Sequence, residues 1–359
     1  MKYFAGYIVK TLAALILIAL STQLNAGNKD RSGQAGGGQL LINPWARTSG
    51  WAGANSANAT GLESMFMNIS GMAFTPKTEL LFTRSSWLKG SEININAFGL
   101  SQRVGESGVF GLGIMSMSFG DIPITTVDLP EGGLGTFSPQ LMNIGLAYAR
   151  TFSNSIFGGL TLRALSESLP NANAHGVAFD AGIRYITGER DHVKFGISLK
   201  NVGPRMQYSG DGFSTKVTLN SQEITLEQRT EPYELPSQLN IGFSYDFYLG
   251  VQADSTGKEV HANHRITGAG NFQSNSFGKD QVQVGLEYGF KDYLMVRAGY
   301  AYEEGILKLD NRTSAYTGPT TGITFQLPMK GGGSIALDYS YRATNPFQGT
   351  HSIGARIVI

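Results

Sequence analysis

Nine charged side chains, Arg163, Asp180, Arg184, Asp246, Glu287, Arg297, Asp338, Arg342 and Arg356, fall in stretches where every second residue is apolar. In an extended chain, alternate residues share a face, so these charges lie opposite the apolar positions. Their signs are mixed. A pore that selects one ion sign carries an excess of one charge, whereas buried charges of both signs must find partners. Arg163, Asp180, Arg184, Glu287, Arg297, Asp338 and Arg342 are therefore expected to form a paired network. Such a network fills an enclosed interior and holds a plug in it, with Arg184, Arg297 and Arg342 each beside an acid.

Other chemistry finds little footing. There is no Gly-x-Ser-x-Gly elbow and no His-Glu-x-x-His pair, so no catalytic residue is assigned and the chain is not expected to be an enzyme. Of the five histidines, His261 and His264 stand near Glu259. A spacing of three in a strand turns the two rings to opposite faces, so no metal site is expected, and no cofactor. Cysteine is absent, which excludes disulfides, thiolate metal sites and a lipidated cysteine. A net charge of +1 gives no basic footprint for nucleic acid.

The elements that must position these residues begin after a leader. Lys2 and Lys10, an apolar run from Leu12 to Leu20, and small residues up to Ala26 have the plan of a cleavable signal peptide over 1–26. Removing its two lysines takes the net charge from +1 to −1 (+1 − 2). Residues 27–38 are polar and Gly-rich, and are expected to be a disordered tether. Residues 39–76 are rich in Ala, Gly and Asn, with apolar points at Leu40, Leu41, Ile42, Trp45, Trp51, Leu62, Met65, Phe66 and Met67. They predict an irregular segment with a helical turn or two near Gly61–Asn68. Irregular backbone at membrane depth survives only inside protein or a water-lined cavity, so this segment plugs a lumen or caps its periplasmic mouth.

From about residue 77 to 359 the period is two. Met142, Ile144, Leu146 and Tyr148 alternate with Asn143, Gly145, Ala147 and Ala149. Leu239 to Phe247, Val282 to Phe290 and Ile335 to Tyr341 repeat the pattern. One face is aliphatic and ends in aromatics, and the other is small or charged, which is the lipid-out, polar-in pattern of a transmembrane β-barrel. Charged residues are only 15% of the chain, against about 25% in soluble domains. Fourteen strands are expected, near 77–85, 91–104, 107–119, 139–152, 155–168, 174–187, 192–201, 237–249, 258–270, 279–290, 293–303, 313–327, 332–343 and 350–359. Tight links alternate with mostly longer ones, and the short side of such barrels is periplasmic. An even strand number then puts both mature termini in the periplasm. The long link at 202–236 has room for an extra hairpin over Lys216–Leu226.

The long loops at 120–138 and 202–236 are the candidate partner surface, with Ile122, Ile124, Leu129 and Tyr233 as apolar anchors. The alternative is that these residues pack on one another as a lid.

Four places resemble the PorV/PorQ family of Bacteroidetes-type outer-membrane proteins, which have a FadL-like barrel. They are Ile42-Asn43-Pro44-Trp45-Ala46-Arg47 with Asn68-Ile69-Ser70-Gly71-Met72-Ala73; Phe119–Pro123 with Gly135–Ser138 and Gly145–Arg150; Leu199–Met206; and Leu337–Arg342 with Gly349–Gly354. In order they cover nearly all of the mature chain. Ile69-Ser70 stands where the family has Pro-Ala, and the chain ends in Ile359 where barrel proteins often end in an aromatic. The resemblance implies an all-β, FadL-like outer-membrane barrel with an N-terminal plug. It also implies work in type IX protein secretion, binding cargo C-terminal signal domains and the translocon as a cargo shuttle. FadL-type relatives instead move hydrophobic small molecules, and fold does not choose between the two.

Overall fold

The structure is a computed structural model that describes residues 27–359 except 220–221, 254–259 and 330–331; the side chains of 219, 251–253 and 260–261 are likewise not described. The expected signal peptide at 1–26 lies outside the described residues.

The period-two stretches become strands because their β-branched and aromatic residues fit a pleated surface with one face toward lipid. In chain order they are β1 (Thr78–Ser86), β2 (Asn94–Val104), β3 (Gly108–Ser118), β4 (Gln140–Thr151), β5 (Ile156–Leu169), β6 (Ala172–Thr187) and β7 (Val193–Val202). Then come β8 (Gln238–Ala253), β9 (Val260–Asn275), β10 (Gln281–Phe290), β11 (Leu294–Glu303), β12 (Tyr316–Pro328), β13 (Ser334–Thr344) and β14 (Thr350–Val358). Each pairs antiparallel with its sequence neighbour, and β1 pairs with β14 from Glu79↔Val358 to Ser86↔His351. That last ladder closes the barrel, as a sheet that spans lipid must close on itself. Fourteen strands and their order match the sequence expectation. β8 and β9 run further than expected, to Ala253 and Asn275.

Parity decides which face meets lipid. Along β4, Leu146 is 59% exposed and its neighbour Ala147 only 5%. Phe243, Leu286 and Leu337 are outward in the same way. Aromatics gather on the outside toward one mouth: Phe110 lies 4.9 Å from Tyr148, and Phe195 lies 5.1 Å from Phe243. This is the girdle expected where hydrocarbon gives way to headgroups.

The links at 105–107, 152–155, 188–192 and 291–293 are tight and share a mouth with the start of β1 and the end of β14. The opposite mouth carries the segments 119–139, 203–237 and 304–315. Within 203–237 the expected hairpin forms, Ser214–Leu219 pairing with Gln222–Glu227.

Residues 39–76 lie inside the barrel as short helical turns, among them Gly61–Phe66 and Ile69–Phe74. Their apolar side chains Trp45, Leu62, Met65, Phe66, Ile69 and Met72 pack on Leu81, Ile95, Met115, Ala147 and Phe157 from the inner wall of β1–β5. The stretch between Trp45 and Leu62 bonds the opposite wall. Ser56 donates to Asn271 Oδ1 at 2.6 Å, and Thr320 donates to the Gly50 carbonyl at 3.0 Å. The lumen is thus two-sided, apolar along one half of the ring and polar along the other.

Two expectations need correction. Residues 27–38 are not an unpacked tether. Gly27 donates to Asp280, Asn28 bonds the Asn275 carbonyl, and Ala35 bridges to Glu234. A Gly-rich chain lacks side chains to pack, but its backbone groups can still bond to loops, and here they do. All these contacts are at the long-loop mouth, whereas Ile359 bonds Thr78 at the short-turn mouth. The two ends of the described chain therefore face opposite sides, so both cannot be periplasmic. Strand parity fixes Thr78 and Ile359 together, but the plug runs the length of the lumen and carries Gly27 across.

Candidate functional site

The plug fits because the wall leaves room for it. Inward glycines recur on strand after strand, and a β-carbon on them would strike the plug. At Gly285 it would stand 2.7 Å from the Trp51 ring, at Gly299 2.6 Å from the Trp51 backbone, and at Gly159 3.0 Å from Ile69. On Gly99, Gly182 and Gly242 it would collide with Leu62, Asn68 and Ser56. Neighbouring registers join these positions into a belt: Gly99 opposes Gly113, Gly113 opposes Gly145, Gly196 opposes Gly242 and Gly285 opposes Gly299. Many of the 47 glycines thus mark close backbone approach rather than turns.

The charged candidates all point into the lumen but do not form one network. Arg163 pairs with Asp180 at 2.7 Å and donates to the Met65 carbonyl of the plug at 2.6 Å. Arg297 pairs with Glu287 at 2.8 Å and donates to Thr324 at 2.7 Å. Asp338 accepts from the same Thr324. Among the described residues, two expected acid partners are missing. Arg184 donates to the Ala59 carbonyl and lies over the Phe74 ring, while Arg342 stacks on Tyr316 at 3.7 Å. Plug carbonyls and aromatic faces replace carboxylates there, since both attract a guanidinium. Glu259 lies outside the described residues, as does the side chain of His261; His264 shares a hydrogen bond with Tyr288 at 2.7 Å. Among the described residues no cluster could hold a metal ion.

Arg103 was invisible as a functional residue in the sequence. From the end of β2 its guanidinium donates to the carbonyls of Thr75 and Pro76 at 2.9 Å each, of Ala73 at 2.8 Å and of Glu106 at 3.2 Å. It fastens the last turn of the plug at the short-turn mouth. Its place after the regular alternation of β2 was the only available signal.

Above the plug, toward the long loops, a vestibule of about 1220 Å³ opens. One side is lined by Phe66, Met67, Trp87, Met117, Phe119 and Leu141. Tyr208 and Tyr233 extend that side from the 203–237 loop, their rings tilted and 5.7 Å apart, and both donate to Glu167. Burial, with the carboxylate beside it, pushes the Tyr208 phenol up to about 12 and Tyr233 upward too, so both stay neutral donors. The loop itself folds inward: Leu235 and Met206 join Leu40, Leu165 and Ala178 in a small second core. The opposite side of the vestibule carries the amides of β8–β10, with Phe277, Lys279, Glu303 and Arg312 beside them.

The structure separates the four proposed partner anchors. Ile122, Ile124 and Leu129 are exposed on the 119–139 loop, with Val127 beside them at 99%. Tyr233 instead turns into the vestibule. Residues 32–38 line the vestibule as a strap, held by Arg31 and Arg205, which clasp Glu234 from two sides at 3.2 and 2.8 Å. The hydrogen bond from Arg31, then that from Arg205, holds the Glu234 carboxyl below its ordinary value.

This architecture is that of a FadL-like transmembrane barrel with a plugged lumen. Among solved structures, the toluene transporter TodX of Pseudomonas putida matches with a TM-score of 0.52 and 12% identity, over 87% of this chain and 96% of that one. A monoaromatic hydrocarbon channel, CymD, matches with a TM-score of 0.50 and 13% identity, over 88% and 97%. A FadL homologue of Pseudomonas aeruginosa matches at 0.49 and 12%, over 88% and 96%. At such identities the likeness is one of fold. No protein-family model matches the chain. No curated protein matches it either.

Proposed function

We propose that the chain is an outer-membrane barrel that takes a hydrophobic small molecule into the vestibule at its long-loop mouth. The observation that carries this is the vestibule's aromatic and thioether side, formed by Phe66, Met67, Trp87, Met117, Phe119, Tyr208 and Tyr233. Ligand sites are concave, largely apolar and commonly about 300–1,000 Å³, and a cavity somewhat larger than that admits a lipid-sized guest. The barrels of like fold are named as a toluene transporter and a monoaromatic hydrocarbon channel. That likeness supplies the frame, and the vestibule supplies the chemistry. Trp87 gives the test. Titration of the purified protein with 1-octanol should change its fluorescence saturably, and Trp87→Phe should remove most of the change. Absence of a saturable response with a folded barrel would overturn the proposal.

One observation favours a second function, in type IX secretion. The 119–139 loop exposes Ile122, Ile124, Val127, Leu129 and Leu134 together, and such surface on a loop is a partner site in want of an occupant. On that basis the loop docks the translocon or a cargo C-terminal domain. Deleting residues 121–137 should then abolish co-purification of those partners from native membranes and leave octanol binding intact. Retained secretion after the deletion would dismiss it.

A further inference from the structure

The amide side of the vestibule is more than a polar backdrop. β8, β9 and β10 place Gln238, Asn240, Gln273, Gln281 and Gln283 side by side, with Asn240 opposing Gln273 and Gln273 opposing Gln281. Gln283 donates to Gln273 and Gln281 at 3.1 Å each, so the amides hold one another in fixed orientations. Asn271 donates to Asn240 and Gln283, Gln238 and Gln273 donate to Asn275, and Gln281 donates to Glu303. Every amide carries two N–H donors and a two-lone-pair acceptor, so the Asn240 nitrogen and the Gln238 oxygen keep unused capacity. From the plug, Gln39 adds an amide that is 1% exposed, lines the same cavity, and has no hydrogen-bond partner at either its oxygen or its nitrogen.

A pure hydrocarbon would leave Gln39 and this spare capacity unmet, and a buried amide without a partner is costly. A charged headgroup would call for free charges of the opposite sign. The lining holds Lys200, Lys279, Arg312 and Arg342 against Glu167 and Glu303, but Lys200 donates to the Phe66 carbonyl, Lys279 donates to the carbonyls of Glu304 and Asn311, and Arg342 stacks on Tyr316. Hydroxyl groups, which donate and accept at once, match amides on both counts.

We propose that the vestibule's ligand is an amphiphile with an uncharged, hydroxyl-rich headgroup. The headgroup lies on the amides of β8–β10 and Gln39, and the tail lies on the aromatic side. This rests on the proposed binding of a hydrophobic molecule in the vestibule and names its chemical class.

Three probes of one tail length decide it: n-octyl glucoside below its micellar concentration, 1-octanol and octanoate. Each is titrated against the full chain in phosphatidylcholine nanodiscs, with empty nanodiscs subtracted, by the fluorescence of Trp87. The glucoside should bind at least about tenfold more tightly than octanol, a gap of 1.4 kcal/mol. In the Gln238→Leu/Gln273→Leu/Gln281→Leu variant that gap should shrink to about twofold or less. Gln39→Leu, which leaves the barrel wall untouched, should narrow it in the same direction should the triple variant fail to insert. Octanol binding as tightly as the glucoside in the unaltered protein, or octanoate binding tightest, would overturn the headgroup proposal alone. Failure of all three probes would overturn it together with the hydrophobic-ligand function. A gap that survives both sets of substitutions would show that the amides do not read the headgroup, and the proposal would fall.

Discussion

Arg163 on β5 and Asp180 on β6 meet at 2.7 Å, and the same guanidinium reaches across to the Met65 carbonyl of the plug. One side chain thus ties the wall to itself and the plug to the wall. Breaking a buried pair from one side leaves an unmatched charge and costs roughly 3–5 kcal/mol, whereas replacing both members with apolar residues costs much less. Asp180→Leu should therefore lower the urea midpoint of the folded barrel strongly, and Arg163→Met/Asp180→Leu should recover much of the loss. Equal midpoints for the single and the double variant would refute the pairing.

The outward face is testable by charge. Leu146→Arg, Leu286→Arg or Leu337→Arg should each destabilise the inserted barrel by roughly 2–4 kcal/mol near the bilayer midplane. Val127→Arg, on a side chain already 99% exposed, should change almost nothing. Reversible folding into lipid vesicles measures both. A tolerated arginine at Leu146 would mean that β4 has its faces reversed.

The glycine belt predicts where the plug can be dislodged. Planar-bilayer recordings of the intact protein should show little steady current, and deletion of residues 39–76 should open a large one. Gly299→Ala, whose new methyl would press on the Trp51 backbone, should give intermittent openings. Gly268→Ala meets nothing within 4 Å and serves as the silent control. Currents of equal size before and after the deletion would rule the plug out.

The strap over the vestibule should respond to acid. Its clasp holds the Glu234 carboxyl below the ordinary 4.5, so the carboxylate is favoured in the docked state. The stabilisation is then full above that value and is lost as the pH falls through the depressed one. Amide hydrogen exchange in residues 31–36 should quicken as the pH drops below about 4.5, once the intrinsic acid dependence is divided out. Glu234→Gln should exchange fast throughout. The carboxylate is open to solvent, so the effect should also weaken in high salt.

Strands were legible because lipid outside and protein inside impose a strict two-residue period, as in Met142–Tyr148. Loops were legible by elimination. The glycines were visible in the same alternation, at Gly145, Gly182, Gly242 and Gly285, but their purpose was not. It depends on which plug atoms approach, and that is a long-range fact absent from local pattern.

The charges show the same division. Arg163 with Asp180 and Glu287 with Arg297 lie on neighbouring strands, so their pairing follows from register. Arg184 and Arg103 find main-chain carbonyls of an irregular segment, and no periodicity announces those. Residues 27–38 misled for a related reason. Composition measures what side chains can bury, and this segment is held largely by its backbone and by Arg31.

The crossing of the lumen by the plug has a consequence for biogenesis. Gly27 emerges at one mouth while β1 begins and β14 ends at the other. As β1 zips onto β14, the ring must either close around a leading segment already laid through it or be threaded afterward by a free end. Threading admits only a leading segment that fits a bore filled by a single chain. A compact domain fused ahead of residue 27 should therefore stall assembly by threading, whereas the same domain placed after Ile359 should ride along outside.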